Sequence, residues 1–300
     1  MTHHDASSAA AARLDHYANG SMRKAIRIGT NAVRTRDGTQ LFCQSWGEGR
    51  AVVLLHSWGF SSRMWTYQTT YLSDRGMQCI TYDRRGHGRS DQPAHGYDME
   101  TLADDLADVL EAHDVRKAVL IGHSMGGAEI LRYAGRHGLS RVSKIVLLAP
   151  MTPFFMQTPD NPHGAPADAL AQVRDEWMRD FPGWIARNKQ PFFVPETSPA
   201  MMDWLIRELE QMALPVAIAC NKSLVETDLR GDLSKIDCPT LVLHGDVDAS
   251  TPLEITGRPT AEGIDGAILK IYAGAPHGLF LTHKDQVNRD IAAFIEGTLA

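Results

Sequence analysis

From about residue 25 onward, short apolar runs alternate with segments whose apolar residues recur every three or four positions. The runs 25–28, 41–46, 51–55 and 77–82 predict strands, as do 117–121, 144–148, 240–243 and 268–272. Several of them, Val52 to Leu55 among them, are continuous rather than alternating, the pattern of a strand covered on both faces. Between them, 99–113, 125–137, 253–262 and 284–297 read as amphipathic helices. Such alternation predicts an α/β protein with a mostly parallel, eight-stranded sheet flanked by helices.

The rhythm breaks between about 150 and 215. Prolines crowd this stretch, from Pro150, Pro153 and Pro159 to Pro195, Pro199 and Pro215, and it is rich in Phe, Trp and Met. Helical pieces fit 168–180 and 200–212, and no strand run fits inside it. The expected organisation is a core of 25–150 and 215–300 interrupted by a helical cap over 151–214. Residues 1–24, alanine-rich but cut by Arg13 and Asp15, lack the sustained apolar core of a signal peptide and predict a flexible tail.

Composition adds limits. With 43% hydrophobic and 22% charged residues the chain is ordinary for a globular protein. The net charge of −6, with no basic cluster longer than Arg84-Arg85, argues against a nucleic-acid partner. No apolar run approaches the ~20 residues of a membrane span. Cys43, Cys79, Cys220 and Cys238 are widely spaced without a C-x-x-C pair. They are expected to be free thiols in a reducing, cytoplasmic setting. Self-association is left open.

The chemistry begins where the predicted strand 117–121 runs into Gly122-His123-Ser124-Met125-Gly126, ahead of a helical pattern. This is G-x-S-x-G in strand–turn–helix context. Small residues are needed there because the serine occupies a tight, strained turn, and the helix start favours negative charge beside it. A serine nucleophile needs a base, since it gives up its own proton far too reluctantly. Of thirteen histidines, His277 has the best setting, in Gly274-Ala275-Pro276-His277-Gly278 after the last predicted strand. The base must be oriented by an acid, and both Asp246 and Asp248 lie just past the end of strand 240–243, where open α/β sheets carry their sites. His87, His113, His137 and His283 have no metal-ligand spacing and read as loop or surface residues. The segment His56-Ser57-Trp58-Gly59, following strand 51–55, is placed to supply one oxyanion N–H from Trp58, with Met125 supplying the other.

Taken with Tyr82-Asp83-Arg84-Arg85-Gly86-His87-Gly88-Arg89-Ser90-Asp91, the Thr227-Asp228-Leu229-Arg230 stretch and Ala275-Pro276-His277-Gly278, these motifs resemble the α/β hydrolases. The branch they resemble is that of the cofactor-free (non-haem) chloroperoxidases and bacterial aryl esterases. The resemblance runs from about Arg27 to Glu296. It implies the α/β-hydrolase fold, no metal or organic cofactor, and a Ser124/Asp248/His277 triad, with Pro252 selecting Asp248 over Asp246 by family pattern. It also implies small esters as substrates, with hydrogen peroxide as a second acyl acceptor in many members. Two positions depart from the pattern: His56-Ser57 replaces the usual His-Gly, and Gly59 stands where peroxidase-like members carry Pro and esterase-like ones Leu. The freer glycine backbone suggests an enzyme that is chiefly an esterase, in which Gly59→Pro raises the share of peracid formation.

Within the predicted cap, Phe154, Phe155, Trp184 and Phe192 are candidates for an apolar acyl pocket. Phe193, Trp204 and Met212 join them, with Met156 beside them, although each also suits packing of cap on sheet. A lyase of the hydroxynitrile type, or a lactone or thioester hydrolase, would use the same triad. A binding protein would have no need of all three residues. Epoxide and haloalkane hydrolysis require a carboxylate where Ser124 stands.

Overall fold

The run Val52-Val53-Leu54-Leu55 is continuous because its residues serve two different cores. In the computed structural model, which describes residues 25–28 and 31–299, Val53 and Leu55 face one apolar cluster and Val52 and Leu54 the other. Leu120, Ile145 and Leu147 follow the first pair, and Val119, Val146 and Leu148 the second. Side chains alternate across a strand, so a sheet covered on both faces needs apolar residues at every position.

Among the described residues the sheet has nine strands: β1 Ile26–Arg27, β2 Ala32–Arg34, β3 Gln40–Trp46, β4 Arg50–Leu55, β5 Met77–Tyr82, β6 Ala118–His123, β7 Val142–Leu148, β8 Thr240–Gly245 and β9 Ile268–Tyr272. Their order is β1-β2-β3-β5-β4-β6-β7-β8-β9. The pairings among β1, β2, β3 and β5 are antiparallel, and all the others are parallel. The strand beyond the eight expected is β2, whose three residues are too few to carry a pattern of their own.

Helices α1 Thr66–Ser73, α2 Met99–Ala112, α3 Met125–His137, α4 Ala167–Asn188, α5 Pro199–Leu209, α6 Leu214–Glu226, α7 Arg230–Leu233, α8 Gly257–Glu262, α9 Leu279–Thr282 and α10 Lys284–Glu296 connect the strands. Helix α2 starts where the sequence expects, because the Asp98 side chain accepts the Thr101 N–H. It buries Leu102, Leu106, Val109 and Leu110 against the first face, together with Ile130 and Leu131 of α3. The second face is covered by Leu72 of α1 and Val287, Ile291 and Phe294 of α10. Each of these burials is worth about 1.5–3 kcal/mol.

Helices α4 to α6 follow β7, and within 151–214 the described strand-like contacts are isolated bridges, Met156 to Ala165 and Thr158 to Asn161. The predicted piece ending at Asp180 meets a break there: Asp180 leaves helical geometry at φ −160°, and its side chain accepts the Gly183 N–H. With Pro182 in the following turn, this restarts a helix that runs on to Asn188. Residue 214 is the first of α6, whose contacts are divided. Ala217 packs with Trp177 and Phe181, while Val216, Cys220 and Leu224 join the first sheet core. The four thiols are free. The expected tail, 1–24, lies outside the described residues. Among those described, no helix is long and apolar enough to cross a membrane.

Candidate active site

Parallel pairing brings four chain segments to one edge of the sheet. Leu55 pairs with Gly122, His123 with Leu148, Leu148 with Leu243, and Gly245 with Tyr272. The loops that follow β4, β6, β8 and β9 therefore emerge side by side at the carboxyl ends of the strands, carrying Trp58, Ser124, Asp248 and His277 in turn.

Ser124 is the hinge between β6 and α3, with φ 54° and ψ −114°, a region that L-residues other than glycine rarely occupy. The glycines around it make the turn feasible. A Cβ on Gly122 would lie 2.5 Å from the backbone of Gly126, and one on Gly126 would lie 2.5 Å from the Leu55 carbonyl. Helix α3 thus packs directly on the ends of β4 and β6, with its first-turn N–H groups around Ser124.

His277 and Asp248 meet in a hydrogen bond of 2.8 Å from Nδ1 to Oδ2. Asp248 also accepts the N–H groups of Ser250 and Thr251 and the Thr251 hydroxyl, at 2.9, 2.8 and 2.8 Å. Burial raises the Asp248 pKa, but the adjacent His277, its hydrogen bond and the Thr251 N–H outweigh burial and lower it to about 2. Asp246, by contrast, is exposed and accepts the Gly274 N–H at 2.7 Å. The His277 carbonyl accepts from His123 Nε2 at 2.9 Å, and the two rings lie 4.6 Å apart, so the His277 turn sits against the Ser124 elbow. Burial and the neighbouring His277 hold His123 well below the usual histidine pKa, and burial also lowers His244. Both stay neutral near pH 7. Ser124 and His277 are themselves buried, at 4% and 5% exposure.

A carboxylate whose pKa is depressed on folding stabilises the fold above its unfolded value, near 3.8, and loses that contribution as pH falls through about 2. The stability advantage of the wild type over Asp248→Asn is therefore expected to shrink by about 1 kcal/mol between pH 5 and pH 3. Urea melts of both proteins at the two pH values measure it; a constant gap contradicts it.

The oxyanion-loop candidate is held on several sides. The Trp58 indole N–H donates to the Ala217 carbonyl at 3.0 Å, and its ring stacks on Trp177 at 4.9 Å. Ser61 and Arg63 both bond Glu208 of α5, at 2.8 and 3.0 Å. Gly59 has φ +78°, and a Cβ there would collide with the Leu209 side chain. Proline, fixed near −65°, does not fit, which overturns the expectation that Gly59→Pro tunes the peroxide share. That variant is instead expected to lose more than about 1 kcal/mol of stability, read as a lowered midpoint in denaturant; an unchanged midpoint counts against it.

The pocket candidates are dispersed. The Phe192 ring lies 5.5 Å from that of His277 and 5.7 Å from that of Phe60. Trp184 packs on Trp177 in the cluster around Trp58, and Met212 belongs to that cluster next to Gly59. Phe193 and Trp204 pack in the second sheet core. Phe154 is buried beneath the Arg230 guanidinium, while Phe155 and Met156 are half-buried in the segment bridged to Ala165. Sequence reasoning missed Thr251, His123 and Phe60, which touch or adjoin the His277 arrangement. His123 was visible as the second residue of G-x-S-x-G. Thr251 and Phe60 carry no signal of their own. No group of three or more His, Cys, Asp or Glu among the described residues is placed to hold a metal ion.

Comparison with known proteins gives the same architecture. A family model described as the alpha/beta hydrolase fold matches residues 50–284. The non-heme chloroperoxidase of Streptomyces lividans is 38% identical, covering 88% of this chain and 99% of that protein. The bifunctional esterase/perhydrolase of Acinetobacter calcoaceticus is 35% identical, covering 88% of this chain and 98% of that one. Among solved structures, an esterase from Exiguobacterium antarcticum superposes with a TM-score of 0.86 at 30% identity, covering 89% of this chain and 99% of that one.

Proposed function

This chain belongs to the α/β hydrolase family, in the branch of the non-haem haloperoxidases and esterases, and on that footing we propose that it is a serine carboxylic-ester hydrolase with Ser124 as nucleophile. The observation that carries the reading is the 2.8 Å hydrogen bond between Asp248 and His277, set against the strained turn of Ser124. Asp248 fixes the proton on Nδ1, leaving Nε2 as the base. Ser124 Oγ adds to the ester carbonyl as its proton passes to Nε2, and the negative charge on the carbonyl oxygen falls on the N–H groups of Trp58 and Met125. Collapse breaks the bond to the alcohol, which takes the proton from His277 and leaves an acyl-enzyme. Water, deprotonated in turn by His277, returns the acid and free Ser124. Neither step calls for a metal or organic cofactor.

The segment 151–214, with helices α4 and α5, acts as the cap over this site, and from the turn between those two helices Phe192 brings its ring within 5.5 Å of that of His277. A second reading is supported by the relative that is both esterase and perhydrolase: hydrogen peroxide in place of water would convert the same acyl-enzyme into a peracid. Free thiols fit a cytoplasmic setting. The test is labelling with a fluorophosphonate combined with turnover of p-nitrophenyl acetate. A covalent adduct on Ser124 together with turnover is expected. An unlabelled protein that still cleaves the ester sinks the nucleophile assignment, and bromide-dependent dye oxidation with peroxide present reads out the peracid route.

A further inference from the structure

The Tyr82 to Asp91 motif contributes nothing to the mechanism above, yet Arg84 is 1% exposed and paired with the fully buried Glu129 of α3. Isolated buried charges are costly, and a buried pair seldom gains enough to explain itself through stability alone. The other contacts of Arg84 suggest what the pair does. Its Nη2 donates to the His56 carbonyl at 2.7 Å and its Nη1 to the Ser57 carbonyl at 3.3 Å. Its backbone N–H donates to His56 Nε2 at 2.8 Å, so the single ring proton of His56 lies on Nδ1 and is donated to the same Ser57 carbonyl at 2.8 Å. Burial and the Arg84 charge keep His56 neutral, well below the usual histidine pKa.

The Ser57 carbonyl and the Trp58 N–H belong to one planar peptide unit and point in opposite directions. Two donors on that carbonyl therefore fix where the Trp58 N–H points. A cationic donor also polarises the unit and makes the N–H a stronger donor. Through Glu129, the same guanidinium is tied to α3, the helix whose first residue is Met125. The Tyr82 hydroxyl donates to the second oxygen of Glu129.

Resting on the ester-hydrolase reading, we propose that the buried Arg84–Glu129 pair is a positioning device that locks the two N–H groups of the oxyanion hole, those of Trp58 and Met125, into one rigid unit. Arg84 touches no substrate and acts through the Ser57 carbonyl. Loss of the pair leaves substrate binding intact and weakens stabilisation of the oxyanion, because small displacements of such donors lower rate rather than affinity.

The test uses Arg84→Met/Glu129→Met in a Tyr82→Phe parent. Replacing both charges by apolar groups of similar reach commonly leaves stability unchanged, and Tyr82→Phe avoids an orphaned hydroxyl. The measurements are kcat per titrated active site, KM for p-nitrophenyl acetate, and the inhibition constant of a trifluoromethyl ketone, whose adduct with Ser124 carries the oxyanion. Relative to the parent, kcat is expected to fall by about ten- to a hundredfold, with the ketone weakened by the same factor and KM changed by less than about threefold. A folded variant with kcat and ketone affinity unchanged overturns the proposal, as does a rise in KM at constant kcat. A wild type that neither hydrolyses the ester nor takes the fluorophosphonate defeats the underlying reading instead, and this proposal with it.

Discussion

Ser124→Ala is expected to lower ester turnover by about a millionfold, to the level left by binding and the oxyanion hole alone. Alanine removes only the hydroxyl and keeps the Cβ that the φ 54° turn already accommodates, so the fold should be unaffected. The loss will then appear in kcat with KM little changed. The measurement is p-nitrophenyl acetate hydrolysis by a preparation checked for contaminating host esterase. Near-normal turnover would remove the mechanism proposed here, and a fall of only tenfold would point to general-base attack by water without an acyl-enzyme.

The second large effect separates two aspartates that stand two residues apart. Asp248→Asn is expected to cost about 10⁴-fold in kcat, because an amide in that place favours the His277 tautomer with its proton on the wrong nitrogen. Asp246→Asn should cost far less. Asp246 is exposed and bonds the Gly274 N–H, a contact the amide oxygen of asparagine can keep. Kinetics of the two variants on the same ester decide the matter, and the reverse order of effects would transfer the role to Asp246.

Most of the architecture was legible in the chain for physical reasons. Strands buried on both faces need unbroken apolar runs, so β4 to β8 announced themselves. Helices α2 and α10 were visible because each buries one stripe and leaves another nearer to solvent, whereas α3, buried continuously from Met125 to Leu131, was marked by the glycine-rich turn that starts it. Helix α1 was not: in Thr66–Ser73 only Gln68 and Leu72 are buried, and a threonine-rich turn has no stripe to read. The helix expected to end at Asp180 does break there, but Pro182 begins a second one that runs to Asn188, since a proline ends one helix as readily as it begins another.

For the site, glycine-rich turns marked Ser124 and His277, because chain reversals at strand ends limit residue choice. The partners that hold those residues were invisible because their roles depend on contacts across long sequence separations. Arg84 meets the His56 carbonyl 28 residues away, and Trp58 meets Ala217 over 159. Gly59 illustrates a different limit. Its identity suggested looseness, whereas its positive φ and its closeness to Leu209 make it a position where the backbone admits little else.

Trp58 has a double attachment, with its peptide unit tied to the sheet core through Arg84 and its indole tied to the Ala217 carbonyl of α6. For anyone seeking to widen the range of esters accepted, this makes α6 a poor place to begin. Remodelling that displaces the helix backbone would pull residue 58 along with it, so a roomier entrance would be gained at the expense of turnover. Under the proposed mechanism, Phe192, whose ring lies 5.5 Å from that of His277 without supplying an oxyanion donor, is the better place to alter substrate scope.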